Sequence, residues 1–349
     1  MDNVFMILIG LLLIYLAIGK KMEPALLLPI GFGTILVNSG AAEAIDQLFK
    51  IGISGYELFP LILFIGIGAM IDFEPLLADP KLVILGATAQ GGILITFWLA
   101  KLIGFAPNDA ASIAIIGAAD GPTSIFVAQT LNSNYMAAIM VAAYSYMALI
   151  PMIQPPVIRL CTTKEDRKIR MQPITRKVPK IAKIIFPIGV TVVACVIAPK
   201  SASLIGFLML GNLIRSCGVL DNLSKTAQNE LANLVTIFLG IAISARMRAA
   251  EFLRVETLAI LGLGFVAFVA DTFIGVISAK VMNLFLKKKI NPMIGAAGIS
   301  AFPMAARVVH QMGLKEDNQN HLLMPAVCVN VSGQIFSAII GGLIIAAAK

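Results

Sequence analysis

The sequence predicts an all-α, polytopic membrane protein: about ten spanning helices in two inverted repeats, each repeat interrupted by a broken, re-entrant-like helix. Three observations lead there. Of the 349 residues, 58% are hydrophobic and 13% charged, whereas a soluble domain carries roughly a quarter charged residues because its outer face must be wetted. The apolar residues gather in runs, and a bilayer takes up such runs as helices of about 20 residues. Finally, the runs of the first half return in the same order in the second.

The first repeat, residues 1–158, holds apolar runs at 4–19, 25–39, 58–71, 82–104 and 135–158. The first run ends in Lys20 and Lys21 without a small-residue cleavage site, and is expected to be a retained helix. The second repeat, 184–349, holds runs at 184–198, 203–214, 233–245, 258–285 and 321–348. Four matches tie the repeats at offsets of 174 to 178: Gly33–Gly40 with Gly211–Gly218, Phe64-Ile-Gly-Ile with Phe238-Leu-Gly-Ile, Ile84-Leu-Gly86 with Ile260-Leu-Gly262, and Ile116-Gly-Ala-Ala-Asp-Gly121 with Ile294-Gly-Ala-Ala-Gly298. Duplicated halves in inverted topology are common among secondary transporters.

Charge orients the repeats. The linker 159–183 carries Arg159, Lys164, Arg167, Lys168, Arg170, Arg176, Lys177, Lys180 and Lys183 against Glu165 and Asp166, so it belongs in the cytoplasm by the positive-inside rule. Lys20, Lys21 and Lys287–Lys289 go with it. The stretch 40–57, with Glu43, Asp46 and Glu57, goes outside, and Arg246, Arg248 and Arg254 join it against the rule. These placements require 110–130 and 290–308 each to enter and leave on one side, which inverts one repeat against the other.

Other classes are disfavoured. The net charge of +8 sits in short linkers without a nucleic-acid motif, so no nucleic-acid partner is expected. Cys161, Cys195, Cys217 and Cys328 are scattered, and His310 and His321 flank a polar linker. Neither set has the spacing of a disulfide framework or a His/Cys metal site.

The chemistry lies in the interrupted segments. In Ser112–Phe126, Asp120, Gly121 and Pro122 interrupt an apolar run. Pro122 removes a donor and disfavours helix at Gly121, which tolerates unusual dihedrals. A break at membrane depth is tolerated where protein or a water-filled cavity surrounds it, and an ionisable residue there is a functional-site candidate. The Asp120 carboxylate suits Na⁺ or a proton, with Thr123 and Ser124 adding neutral oxygens; the same residue also reads as a helix N-cap. The second break, Asn291–Arg307, lacks the acid and offers Asn291 and Ser300, with Arg307 nearby; its glycines also fit close helix packing. The helices that follow carry Tyr144-Ser-Tyr146 and Asn330-Val-Ser332, whose buried polar groups need partners and are expected to line the same cavity. Asp271, a further acid in an apolar run, either pairs with Lys280 or sits in a cavity.

Gly117-Ala-Ala-Asp-Gly-Pro-Thr123, Tyr144-Ser-Tyr146, Gly295-Ala-Ala-Gly-Ile-Ser-Ala-Phe-Pro303 and Glu23-Pro24 leading to Gly33 resemble the β subunit of the biotin-dependent, sodium-translocating decarboxylases, over essentially the whole chain. The resemblance implies a translocase subunit of the bacterial cytoplasmic membrane. In that family a biotin carrier and carboxyltransferase subunit delivers carboxybiotin, whose decarboxylation on the β subunit drives Na⁺ outward and consumes a proton. A small membrane-anchoring subunit and a homo-oligomer within the complex go with the same resemblance. It makes Asp120 the essential sodium-site acid. Tyr144 and Tyr146 stand near that site, one as proton carrier. Asn291, Gly295, Ser300 and Arg307 form the second functional stretch, with Ser300 a second sodium- and proton-linked site, and Asn330 lines the cavity. This chain has no Met-Lys-Met biotinylation signal, so biotin is expected on a partner. A self-contained Na⁺ or H⁺ transporter of organic anions shares the architecture but needs no biotinylated partner; a membrane scaffold without turnover leaves Asp120 unexplained.

Overall fold

A computed structural model of the chain describes residues 2–20, 24–55, 57–171, 177–301 and 303–348. Lys21, Glu23, Arg176 and Phe302, used above, lie outside the described residues. Among the described residues all regular structure is helical, as an apolar medium demands of any chain that does not close a barrel. The principal helices are α1 (Asp2–Gly19), α2 (Pro24–Asn38), α3 (Leu58–Met70), α4 (Val83–Ala89), α5 (Gly91–Ile103), α6 (Pro107–Ala114), α7 (Gly121–Thr130), α8 (Met136–Cys161), α9 (Lys180–Ile197), α10 (Ala202–Ser216), α11 (Ala232–Ile243), α12 (Val255–Phe285), α13 (Met304–Glu316) and α14 (Leu323–Ala348).

Among the described residues five helices are long and apolar enough to cross a membrane: Asp2–Gly19, Pro80–Ile103, Lys180–Ile197, Val255–Phe285 and Leu323–Ala348. Two bent pairs raise the number to seven when each is one span, Ala42–Ser54 with Leu58–Met70 at 61° and Met136–Met147 with Leu149–Cys161 at 67°. The second bend has a local cause: Pro151 cannot donate to Met147, four residues back, and its ring presses on that turn. The remaining apolar helices are shorter, with 15 residues each in α2 and α10 and 12 in α11. A π-helical turn at Ala227–Leu231 prolongs α11, and another, Lys50–Gly55, lies ahead of α3.

Packing ties the two halves together crosswise. α3 of the first half lies against α10 of the second, and α11 of the second against α2 of the first. The α3–α10 crossing is close enough to need glycine on both sides. A Cβ on Gly68 would stand 1.8 Å from the Leu208 carbonyl oxygen, and one on Gly211 would stand 2.0 Å from that of Ile65. Large apolar side chains such as Leu8, Leu12, Trp98, Val196 and Phe285 face outward, while Gln90, Asp120, Gln154, Asp271, Asn291, Ser300, Asn330, Gln334 and Ser337 are buried. The apolar core thus encloses a set of buried polar side chains while large apolar side chains face outward, as expected of a chain whose helices lie in lipid.

The charged loops gather at two ends. At one, Arg248 pairs with Asp46 and Arg246 with Glu251. At the other, Arg167 pairs with Glu316 at 2.7 Å, Arg170 with Asp317 at 2.6 Å, and Lys280 with Asp166 at 3.2 Å. Lys280 is thus committed to the linker and is not the partner of Asp271. The start of the linker is folded: Thr163 and Asp166 form a reciprocal capping box on the short helix Lys164–Arg167.

Candidate cation-binding site

The first broken segment descends through α6, tightens into a 3₁₀ turn at Ile115–Ala118, and restarts as α7. The sequence placed the unusual backbone at Gly121; the structure places it two residues earlier, where Ala119 takes the left-handed conformation with φ 51°. Gly121 and Pro122 instead open α7, where a proline's missing N–H costs nothing. Gly121 is required for another reason. A Cβ there would stand 2.2 Å from the ring of Tyr144, so its bareness seats that tyrosine beside Asp120.

Asp120 is the helix N-cap that the sequence offered as one reading. It caps α7, with Oδ1 accepting from the Thr123 amide at 3.3 Å. It is also 3% exposed and gathers three side-chain donors on Oδ2: the Thr123 hydroxyl at 2.6 Å, the Gln334 amide at 2.8 Å and the Ser337 hydroxyl at 3.0 Å. Ser124 turns back to the Asp120 main-chain carbonyl at 2.8 Å. The helix N-terminus adds its partial positive charge. Among the described residues no cationic side chain pairs with this buried carboxylate and dipoles stabilise it, and hydroxyls can reverse their role from donor to acceptor when a cation arrives.

The second segment begins at Asn291, whose Oδ1 caps the 3₁₀ stretch Pro292–Gly298 through the Met293 amide at 3.1 Å. Its Nδ2 donates to the Arg167 and Ile169 carbonyls at 3.0 and 2.9 Å, which anchors the segment to the linker. Gly295 abuts Gly275 of α12, backbone to backbone. At Ile299 the backbone turns extended, and the carbonyls that a helix would have used are taken by amides from other helices. Gln154 donates to Ala296 at 2.8 Å, Gln90 to Gly298 at 2.9 Å, and Asn330 to Ala297 at 3.0 Å and Ile299 at 2.7 Å. The carbonyl oxygens of those three amides have no hydrogen-bond partner among the described residues.

The two tips touch. The Ser300 amide donates to the Ala118 carbonyl at 2.9 Å, and the Ser300 hydroxyl donates to Gly333 of α14 at 3.0 Å. Helix α14 therefore serves both tips, with Asn330 on the second and Gln334 and Ser337 on Asp120. Tyr146 lies alongside, its hydroxyl donating to the Leu261 carbonyl of α12 and its ring against Gly264. Of the residues singled out from the sequence, Asp120, Tyr144, Ser300 and Asn330 thus adjoin the paired tips, and Tyr146 stands beside them. Asn291 and Gly295 hold the second segment in place. Arg307 is exposed on α13 without an ion pair among the described residues.

Sequence reasoning missed Gln334 and Ser337, along with Gln90 and Gln154. A signal was present for the first two: Asn330, Gln334 and Ser337 recur at intervals of four and three, one face of a helix.

A family model described as the Na⁺-transporting oxaloacetate decarboxylase beta subunit matches residues 2–348. The methylmalonyl-CoA decarboxylase subunit beta of Propionigenium modestum is 47% identical, over 99% of this chain and 94% of its own. The glutaconyl-CoA decarboxylase subunit beta of Acidaminococcus fermentans is 47% identical over 99% and 92%, and the oxaloacetate decarboxylase beta chain of Haemophilus ducreyi 43% identical over 99% and 94%. With a match of this extent, the chain belongs to the beta subunits of the Na⁺-transporting decarboxylases.

Proposed function

We propose that this chain decarboxylates carboxybiotin delivered by a partner subunit and couples the step to Na⁺ export with consumption of a proton. The observation that carries the reading is the buried Asp120, held among the described residues by neutral donors alone at the point where two broken segments meet. A sodium ion entering there finds a carboxylate, the hydroxyls of Thr123 and Ser337, and main-chain carbonyls. Ser300 and Asn330 border a second polar position on the far side of the contact, with Asn291 and Gly295 holding its backbone.

Loss of CO₂ from an N-carboxy group requires a proton at the nitrogen. In this scheme Na⁺ binding near Asp120 or Ser300 displaces a proton, and Tyr146, seated on a helix carbonyl beside the tips, passes it on. Arg307, exposed and unpaired among the described residues, suits the anionic carboxylate of the incoming group. The linker arginines Arg167 and Arg170 are engaged with Glu316 and Asp317, which favours Arg307 for that role.

The inverted arrangement of repeats 1–158 and 184–349 about the linker 159–183 draws support from how the segments are tethered. Asp109, near the start of the first, accepts from Ser133 and Asn134 just before α8. Asn291, at the start of the second, binds Arg167 and Ile169 just after it. The segments thus approach from opposite ends of one helix, as two re-entrant elements within a bundle of about ten spans would. The expected setting is the bacterial cytoplasmic membrane. The expected company is a biotin carrier and carboxyltransferase subunit, a small anchoring subunit and further copies of this chain.

The test is uptake of radioactive sodium into inside-out vesicles containing the chain and its co-purifying partners, with and without avidin. Avidin-sensitive uptake is expected. Uptake indifferent to avidin would replace this reading with an autonomous transporter.

A further inference from the structure

Asp271 is a second carboxylic acid in the interior, and nothing above uses it. It lies midway along α12, fully buried, where that helix crosses the tips of both broken segments and the interruption between α4 and α5. Its two oxygens differ. Oδ1 accepts from the Gly92 amide at 2.6 Å, at the start of α5, an ordinary capping role across helices. Oδ2 has no hydrogen-bond partner among the described residues. It points at Gly117, in the 3₁₀ turn three residues before Asp120: a Cβ on Gly117 would stand 2.7 Å from Oδ2, and one on Gly92 2.5 Å from Oδ1. Two glycines on two elements leave room for this carboxyl and for no side chain besides it.

A bare carboxylate oxygen in this position carries a large desolvation cost unless a cation neutralises it. Among the described residues no side chain supplies one. The 3₁₀ turns 115–118 and 292–298 and helix α4 carry no titratable residue. On α5 the only charge is Lys101, exposed in the last turn. On α6 it is Asp109, engaged with Ser133 and Asn134. On α8, Tyr144 lies on Gly121 and Tyr146 on Leu261, while Arg159 and Cys161 occupy the far end. On α12 itself Glu256 is in the first turn and Lys280 is paired with Asp166. Oδ2 faces Gly117, and among the described residues Asp271 belongs to no cluster of three or more acidic, histidine or cysteine side chains that could hold a metal ion. One free carboxylate oxygen, without a donor among the described residues, is enough to take a proton.

We propose that Asp271 is a proton-binding site, its Oδ2 loaded in the conformation described here and opened to exchange when the 115–120 tip moves off α12. Loading forms an O–H bond at Oδ2 and leaves a neutral carboxyl; unloading returns H⁺ to water and leaves a carboxylate. The proposal rests on the pumping scheme for its role in turnover, and on geometry alone for the existence of the site.

The test is difference infrared spectroscopy of the whole complex in lipid, wild type against Asp271→Asn, combined with a pH reporter during turnover. Asparagine keeps an oxygen for the Gly92 amide and cannot be protonated at the second position, so a purely structural cap survives the change. Expected are a carboxylic-acid stretching band in the wild type at neutral pH that shifts in D₂O and is lost in the variant, and loss of turnover-linked proton uptake in the variant. Should Asp271→Asn fail to assemble, Gly117→Ala serves instead: it retains the carboxyl and crowds Oδ2, so the band is expected to shift. An Asp271 band absent from the wild type, unchanged in both variants, or accompanied by normal proton uptake in Asp271→Asn would overturn the proposal. A band assigned to Asp271 in a complex that takes up sodium regardless of avidin would uphold the site and sink the pumping scheme, so the two failures are distinct.

Discussion

Replacing Gly295 by alanine tests whether the second tip must sit where it does. The new Cβ would stand 1.9 Å from the Gly275 carbonyl oxygen and 2.5 Å from its carbon, main-chain atoms of α12 that have no rotamer to escape into. Relief requires the 3₁₀ stretch and α12 to separate by about 1 Å, since packed interiors yield little. The movement is transmitted to Ala297, Ile299 and Ser300. It draws the first two away from Asn330, now at 3.0 and 2.7 Å, and the third away from Ala118, now at 2.9 Å. Overpacking of this kind costs about 1–3 kcal/mol of stability, and a 1 Å misplacement in a catalytic assembly costs roughly a hundredfold in rate. The assay is Na⁺-stimulated decarboxylation by the purified complex, with thermal melting of the same sample. Gly262→Ala, on α12 with nothing within 4 Å of its new Cβ, is the control; it should be neutral or stabilising by about 0.5–1 kcal/mol. Wild-type turnover and melting in Gly295→Ala would refute the reasoning.

Four further outcomes are expected. Asp120→Asn keeps a capping oxygen for α7 but loses the charge, so Na⁺-stimulated decarboxylation should vanish while the protein inserts and melts normally; retained stimulation would remove Asp120 from the mechanism. Gln334→Leu withdraws one donor from a buried carboxylate, an interaction of about 1.5–3 kcal/mol, and should shift the half-saturating Na⁺ concentration by at least about tenfold; an unshifted titration would mean that Gln334 does not act on the ion site. Asn291→Ala loses both bonds to the linker, about 1 kcal/mol each, and trypsin should then cut at Arg167 and Arg170 sooner; an unchanged digestion pattern would show that the anchor is dispensable. The Arg170 guanidinium holds the Asp317 carboxyl below its ordinary range, helped by the Gln319 amide. A carboxyl with a depressed folded value stabilises above its unfolded value and loses that contribution as pH falls through the folded one. Hydrogen exchange in 164–171 should therefore be flat near neutrality and lose protection only at pH below about 3.9; loss beginning near pH 6 would assign the clamp to another group.

The parts of the molecule legible in the sequence are those governed by local rules. Each of the ten apolar runs contains a helix, because an unbroken apolar stretch in lipid has no other way to pair its backbone. Asp120-Gly-Pro announces a helix start, and Asn291-Pro announces another. What the sequence hid is long-range. Gln334 and Ser337 are ordinary polar residues until α14 is laid across the first tip, and Gln90 reads as an interruption until its amide is found on Gly298, more than two hundred residues away. Ala119 illustrates the same limit at short range. A left-handed alanine is unfavourable locally, and it persists because the tip contact at Ala118 and the Asp120 cap fix the residues on either side.

The hydrogen bond between the tips is made by a main-chain amide and a main-chain carbonyl. Side-chain scanning therefore passes over it: alanine at position 300 deletes a hydroxyl and leaves the N–H in place, and any residue at 118 presents the same oxygen. The mechanical link between the halves is in this sense degenerate in sequence, free to persist while the residues around it drift. It would register only in chemistry aimed at the backbone, such as proline at 300 or an ester in place of the amide, and a mutational map of this protein would show the tip contact as a blank flanked by intolerant glycines.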